Sequence, residues 1–352
     1  MKTLRALIYW LFLLAWIWVL AACGAPPSVS INSPSTGQAS PTVDQVSQPA
    51  SQATPTLIHT PLKQPTQDGK LSLPATPPAE QPVMVLTTSS TPMPSPAPAL
   101  PPSDWKNWPV TPVVSQEAVA IYQKGLAMGN DPTAFSKVGD CQNITNYFLG
   151  IFDDPQKYRL GPYSSLQPVI DQFKGSFSRN SLAVKGGFNV AAVLNPIYAD
   201  PSVCNKNETP LACEFRLHKP SIVIISMETW WAKRPASIYE KYLRQIVDFS
   251  IQQGTLPILA TKADNLEGDE SINASIAQVA YDDHIPLWNF WRAVQPLPYH
   301  GLTPEDPDHF HLTGLDSKND FDDPKMMLTA WPVRNLTALE ALNAVWQAVN
   351  SR

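Results

Sequence analysis

The chain has 352 residues, and 18 of its 37 prolines fall between residues 26 and 102. No folded domain tolerates that density of proline, so about the first third of the chain is predicted to be non-globular. The formal net charge is −5 and no basic stripe is present, which argues against a nucleic-acid-binding protein.

The first 23 residues have the pattern of a targeting segment. Lys2 and Arg5 precede an uncharged, largely apolar run over residues 6–22, and Cys23 follows. The run is just long enough to span a bilayer, so an uncleaved anchor helix is one interpretation. However, residues 20–23 read Leu-Ala-Ala-Cys and resemble a bacterial lipobox. That resemblance implies a signal peptide over residues 1–22 and a lipidated Cys23 that holds an extracytoplasmic protein at the membrane.

Residues 23–104 are predicted to form a disordered tether rich in Pro, Ser and Thr. From Gly24 to Asp104 this segment carries only six charged residues and shows no hydrophobic periodicity. Such a composition stays extended and cannot bury a core. Residues 105–352 are then the folded domain, and they are long enough for one sizeable core.

Helical and strand patterns alternate through the folded domain. The predicted helices cover residues 115–129, 144–152, 235–254, 271–283 and 337–350. The predicted strands lie between them, over residues 134–139, 181–184, 221–227, 256–261 and 285–290. The strand over 221–227 (SIVIISM) is typical of one buried on both faces. Thr337 and Glu340 suggest a capping box at the start of the last helix. This alternation predicts an α/β fold with a mostly parallel sheet.

A carboxylate and an imidazole lie close together near the C-terminal end. Residues 304–313 read PEDPDHFHLT, which places Asp308 three residues before His311. A carboxylate beside an imidazole fixes its tautomer and stabilises the imidazolium, as a general base requires. A polar surface loop is one alternative. A metal site made of Asp306, Asp308, His309 and His311 is another, and no other spacing in the chain is typical of a metal site.

Cys141 follows Gly139 and Asp140 at the end of the first predicted strand. Backbone N–H groups at the start of a helix lower a thiol pKa and can hold an oxyanion, so Cys141 is a candidate nucleophile. The alternative is a buried, inert cysteine.

Cys204 and Cys213 lie nine residues apart in a polar segment, and in an oxidising compartment we expect them to form a disulfide.

Taken in order, these motifs resemble those of the SGNH, or GDSL-type, hydrolase family. Gly139-Asp140-Cys141 matches the family's Gly-Asp-Ser motif with cysteine in place of serine, and residues 308–311 match its Asp-x-x-His motif. Gly186 or Gly187 stands where the family has its oxyanion glycine. The resemblance implies a three-layer, flavodoxin-like fold with a five-stranded, mostly parallel sheet.

The third family motif departs from the pattern. The predicted strand runs into Glu228-Thr229-Trp230-Trp231, where the family has Gly-Thr-Asn-Asp, so Trp230 replaces the Asn that donates to the oxyanion. Loss of one such donor costs about 2.7–4 kcal/mol of transition-state stabilisation. Asp140, Thr229, Trp230 and Trp231 are expected to line the substrate cleft. Trp230 and Trp231 could stack on sugar rings, although core or rim packing would also explain the pair.

The resemblance implies a surface-tethered hydrolase that acts on an ester, such as an acyl ester of a glycan or of the cell envelope. Cys141 would be the nucleophile, His311 its base and Asp308 the residue that orients His311. The N–H groups of Cys141 and of Gly186 or Gly187 would hold the oxyanion. The alternative is a catalytically silent lipoprotein, a pseudoenzyme that binds glycan or envelope material. We expect no cofactor, no metal and a monomer.

Overall fold

The computed structural model describes residues 100–227, 234–305, 310–317 and 319–351. The predicted signal peptide, the lipidation site Cys23 and nearly all of the predicted tether lie outside the described residues. None of the described helices combines the length and the apolar character that crossing a membrane requires.

The described part of the chain is α/β, as its sequence predicts. Its helices and strands are, in chain order, α1 (Gln116–Ala127), β1 (Asp131–Gly139), α2 (Gln167–Gln172), α3 (Pro210–His218), β2 (Pro220–Ser226), α4 (Ala236–Gln252), β3 (Leu256–Ala260), α5 (Ser271–Asp282), β4 (Leu287–Trp288), α6 (Phe290–Val294) and α7 (Ala330–Asn350). The strands form one parallel sheet in the order β1-β2-β3-β4.

The sheet has four strands where the sequence predicts five. In place of a strand over 181–184, the chain makes a single parallel bridge between Val184 and Gly139. A side chain makes one of the contacts to β1, since the Ser181 Oγ donates to the Lys137 carbonyl at 2.6 Å while it accepts from the Ala183 N–H at 3.1 Å. The segment therefore lies against β1 without forming a regular ladder.

The middle of the sheet explains why β2 is so apolar. Every residue of β2 is buried. Ile222 and Ile224 belong to one apolar cluster, with side chains of α1, α2 and α7, whereas Val223 and Ile225 belong to a second cluster with side chains of α3, α4 and α5. Because successive side chains of a strand point to opposite faces, β2 must be apolar throughout when both faces are covered.

Two helix predictions are wrong, each because of contacts that are distant in sequence. Residues 144–152 do not form an α-helix: Leu149 has φ of +63°, and its N–H donates to the Asn335 side chain at 2.6 Å. The last helix begins at Ala330 rather than at Thr337. Thr337 lies inside it, where its hydroxyl accepts from the Trp288 indole at 3.0 Å and donates to the Val333 carbonyl at 2.7 Å.

The predicted disulfide is present. Cys204 and Cys213 are bonded, with their Cα atoms 5.3 Å apart. Cys213 lies in α3 and is fully buried, whereas the sequence places it in a polar loop. The bond therefore ties the preceding loop to a helix that covers the sheet.

Candidate active site

The end of β1 carries the candidate nucleophile. A short 3₁₀ helix, Cys141–Asn143, follows β1 almost at once, and the Asp140 carboxylate caps it by accepting from the Gln142 N–H at 3.0 Å. Asp140 is fully buried, while the Cys141 thiol is half-buried. This placement at the carboxyl end of a parallel strand is where α/β proteins form their sites.

Asn143 joins the Cys141 turn to the neighbouring strand. Its side-chain amide donates to the Ser226 carbonyl, at the end of β2, at 2.7 Å. A Cβ atom on Gly139 would overlap the carboxamide of Asn143, so only glycine allows this close approach. The first glycine of the Gly-Asp-Cys motif therefore has a packing role in this chain.

The two glycines predicted for the oxyanion hole lie beside the same end of β1. The Gly139 N–H donates to the Ala183 carbonyl at 3.1 Å, and the Lys185 N–H donates to the Gly139 carbonyl at 3.4 Å. Gly186 and Gly187 follow directly and are exposed, in a turn that the Phe188 N–H closes onto the Lys185 carbonyl at 3.0 Å. Gly187 has φ of +83°, a conformation that suits glycine.

The segment that carries His311 reaches the Cys141 turn. The Gln142 side-chain amide donates to the Phe310 carbonyl at 3.2 Å, which links the residue after Cys141 to the residue before His311 across 168 positions. His311 itself is half-buried. The structure thus brings together the two chain segments that the sequence assigns to nucleophile and base.

Hydrogen bonds on both sides hold the His311 segment in place. The Thr303 N–H donates to the His311 carbonyl at 2.9 Å. The Thr313 hydroxyl accepts from the Ala330 N–H at 3.1 Å, and the Thr313 carbonyl accepts from the Trp331 N–H at 3.0 Å. Thr313 therefore caps the first turn of α7, so the position of His311 depends on that helix.

Several predicted site residues lie outside the described part of the chain. These are Asp308, with Asp306 and His309, in the gap 306–309, and Thr229, Trp230 and Trp231 in the gap 228–233. The orientation of His311 by Asp308 and the cleft formed by the two tryptophans stay predictions.

Arg334 is a component of the site that sequence reasoning missed. It lies in α7 and is fully buried, and its Nη2 donates to the Ser226 Oγ at 2.9 Å and lies 3.5 Å from the Asn143 Oδ1. Its guanidinium carbon is 4.8 Å from the ring centre of Phe148, 4.9 Å from that of Phe290 and 5.4 Å from that of Trp288. A signal was present in the sequence: Arg334 is a single charge in the otherwise uncharged run AWPVRNLTAL.

A second polar cluster, also unpredicted, follows β3. The Lys262 Nζ lies 2.6 Å from an Asp264 oxygen and 2.6 Å from a Glu267 oxygen, and the Lys262 backbone pairs with the Asn273 side chain. Burial lowers the pKa of Lys262, but the two carboxylates outweigh burial and raise it. The cluster is a largely buried triad of one lysine and two carboxylates that fixes the loop after β3.

Among the described residues, one group of side chains has ligand atoms close enough for a metal ion, namely Cys204, Glu208 and Cys213. The two sulfurs form the disulfide, and Glu208 binds the Arg216 guanidinium at 2.7 Å. These atoms are already engaged with one another, so the group does not fit a metal ion.

Comparisons of the chain with protein-family models, with curated proteins and with solved structures found no match. The function is therefore inferred from the site itself.

Proposed function

We propose that residues 105–352 form an SGNH-type domain that hydrolyses an ester through Cys141, His311 and Asp308. The observation that carries the proposal is the hydrogen bond between Gln142 and Phe310, because it joins the Cys141 turn to the His311 segment. The neighbouring turn with Gly186 and Gly187 adds backbone N–H groups beside the same strand end. A buried, inert cysteine would not require any of these segments nearby.

The strand order supports the fold part of this proposal. If the 181–184 segment counts as an irregular fifth strand beside β1, the chain order across the sheet becomes 2-1-3-4-5. That is the flavodoxin-like order. Apolar clusters on both faces of the sheet fit a three-layer arrangement.

The proposed reaction is an acyl transfer through a thioester. The Cys141 sulfur attacks the acyl carbon, and His311 takes the thiol proton. The carbon–oxygen bond of the ester then breaks, and His311 gives its proton to the departing alkoxide, which leaves as an alcohol. Water next attacks the thioester, with His311 as base, and releases the acid while the proton returns to sulfur. Asp308 would hold the tautomer of His311.

The oxyanion of each tetrahedral intermediate needs hydrogen-bond donors. The N–H groups of Cys141 and of Gly186 or Gly187 are the proposed donors. Trp230 stands where the family has a donating Asn, and we expect turnover to be slower by about 100- to 1000-fold than with all donors present. The proposed enzyme is therefore a slow or specialised esterase.

A second function is favoured by that same substitution. A catalytically silent protein that binds glycan or envelope material would not require the lost donor, and Trp230 and Trp231 would offer apolar faces to sugar rings. In either case we propose that the chain is an extracytoplasmic lipoprotein anchored through Cys23, with residues 23–104 as its tether.

The test of hydrolysis uses a chromogenic acetate ester. We expect Cys141→Ala to reduce the rate to that of buffer, and His311→Asn to lower kcat/KM by about 100-fold or more, because a general base contributes about 10²–10⁴. His300→Asn is the matched control, since His300 is exposed and its ring binds the Gln295 carbonyl at 3.0 Å. We expect that variant to match wild type. Equal rates of ester hydrolysis in wild type and in Cys141→Ala would contradict the hydrolase proposal and favour the binding function.

A further inference from the structure

A positive charge lies buried behind the Cys141 turn. Arg334 is fully buried, which is costly for a guanidinium unless nearby groups stabilise it. The Ser226 hydroxyl accepts a hydrogen bond from it at 2.9 Å, and the faces of Phe148, Trp288 and Phe290 lie within 5.4 Å of its central carbon. Aromatic faces attract cations, so these rings fix the guanidinium in one place.

Arg334 is linked to the Cys141 turn through Asn143. Its Nη2 lies 3.5 Å from the Asn143 Oδ1, and Asn143 belongs to the same 3₁₀ turn as Cys141. The other end of the Asn143 carboxamide donates to the Ser226 carbonyl at 2.7 Å. The guanidinium, the end of β2 and the Cys141 turn are therefore one hydrogen-bonded unit.

Positive and negative charges around Cys141 have opposite effects on the stability of its thiolate. Among the described residues, ionisable groups on the surrounding elements include Lys137 on β1, Asp140 before the turn, Lys185 beside β1, Arg334 on α7, and His311. The Arg179–Glu214 ion pair also packs against β1, where its two charges offset each other. Asp140 is fully buried, and a negative charge on it would oppose the thiolate. Lys137 is buried, and burial lowers its pKa to about 7, so it is only partly protonated at neutral pH. Lys185 is exposed to solvent, so water screens it. Arg334 is buried and always protonated.

We propose that Arg334 is a positioning residue that holds the Cys141 turn and places a positive charge beside it, so that Cys141 is a thiolate near neutral pH. This inference rests on the proposed role of Cys141 as a nucleophile. Arginine suits the position better than lysine, because its flat guanidinium can contact three rings while it donates to Ser226. The thiolate is the nucleophilic form of cysteine, so Arg334 would set the pH range in which the site works.

The test is the pH dependence of iodoacetamide alkylation, followed at the Cys141 peptide by mass spectrometry in the full-length protein. We expect wild-type Cys141 to titrate below the unperturbed value of about 8.5. We expect Arg334→Met to raise that midpoint by about one unit or more and to slow alkylation near pH 7 by about ten-fold, with the rate at high pH unchanged. Arg334→Gln, which also removes the charge but keeps a polar end, should raise the midpoint in the same direction.

Controls separate charge from folding. Arg244→Met removes a half-buried arginine of α4 that binds Glu240 and Asp282, and it should leave the midpoint unchanged. If Arg334→Met does not fold, the wild type and Arg334→Gln still decide. A wild-type midpoint at or above about 8.5, or a midpoint in a folded Arg334→Met or Arg334→Gln variant that equals that of wild type, overturns the proposal. A low midpoint in a protein without esterase activity would contradict the hydrolase proposal and leave the role of Arg334 intact.

Discussion

Replacing Glu214 by glutamine is expected to lower the free energy of unfolding by about 3 kcal/mol or more. Glu214 lies in α3 with a fully buried side chain, and it forms an ion pair with Arg179, whose side chain is only 19% exposed. Its carboxylate also accepts from the Ser136 hydroxyl at 2.7 Å and from the Leu182 N–H at 2.8 Å. Glutamine keeps the shape but leaves Arg179 without its counter-charge and points an N–H₂ group toward one of these donors.

The measurement is urea unfolding of wild type, Glu214→Gln and Glu240→Gln at neutral pH. Glu240 also pairs with an arginine, Arg244, but both side chains are about a third exposed, so we expect a change within about 1 kcal/mol. Equal losses in the two variants would contradict the structure. Because Glu214 holds the segment that leads to Gly186 and Gly187, Glu214→Gln should also slow ester hydrolysis.

Lys137 is expected to make the stability of the fold depend on pH between about 7 and 10.5. Burial, with Arg179 nearby, lowers the pKa of Lys137 from 10.5 to about 7. Its Nζ donates to the Phe177 carbonyl at 2.9 Å and to the Thr145 hydroxyl at 3.1 Å, so the neutral amine is well placed in the folded state. Between these pH values the unfolded chain binds a proton that the folded chain does not, so stability rises with pH. Below pH 7 both states are protonated, and the full cost of burying the charge remains.

Lys137→Met tests this expectation, because methionine has a similar length and no charge. Urea unfolding of both proteins at several pH values gives the difference between their free energies of unfolding. We expect this difference to shift in favour of wild type as pH rises from 7 to 10, by at most about 1.4 kcal/mol per pH unit. A difference that stays constant with pH would show that Lys137 titrates normally in the folded protein.

The elements that the sequence predicted well are those whose residues carry their own signal. β2 is seven residues long and fully buried, and the run SIVIISM contains all that is needed to recognise it. α1 begins where Ser115 caps it by accepting from the Ala118 N–H at 2.9 Å. α5 likewise ends within a residue of its predicted end. In each case the periodicity or the cap lies within the segment.

The errors arose where a distant partner decides the local structure. Leu149 adopts a left-handed conformation while its N–H binds Asn335, 186 positions away. The N–H groups at the start of α7 bind Thr313, so the capping residue does not precede the helix in sequence. A pattern of helical residues contains no information on such partners.

In the candidate site, too, the sequence identified the residues that carry a local signal and missed those whose role depends on distant partners. The order of the Gly-Asp-Cys, glycine and Asp-x-x-His motifs led to the three segments, two of which contact Gly139 or Gln142 in the structure. Arg334 and Asn143 could not be assigned in this way, because their roles depend on the packing of α7 against the ends of β1 and β2. A lone charge within an apolar run was the one local sign of Arg334.

The most direct test of the proposed chemistry is to look for the acyl-enzyme. Wild-type protein is mixed with an excess of a chromogenic acetate ester and quenched in acid, and its peptides are analysed by mass spectrometry. A thioester mechanism predicts a burst of product up to one equivalent per chain and one acetyl group on the Cys141 peptide. Cys141→Ala should show neither, and His300→Asn should behave as wild type. Turnover of the ester with no acetyl group on Cys141, or an equal burst in Cys141→Ala, would contradict the assignment of Cys141 as the nucleophile.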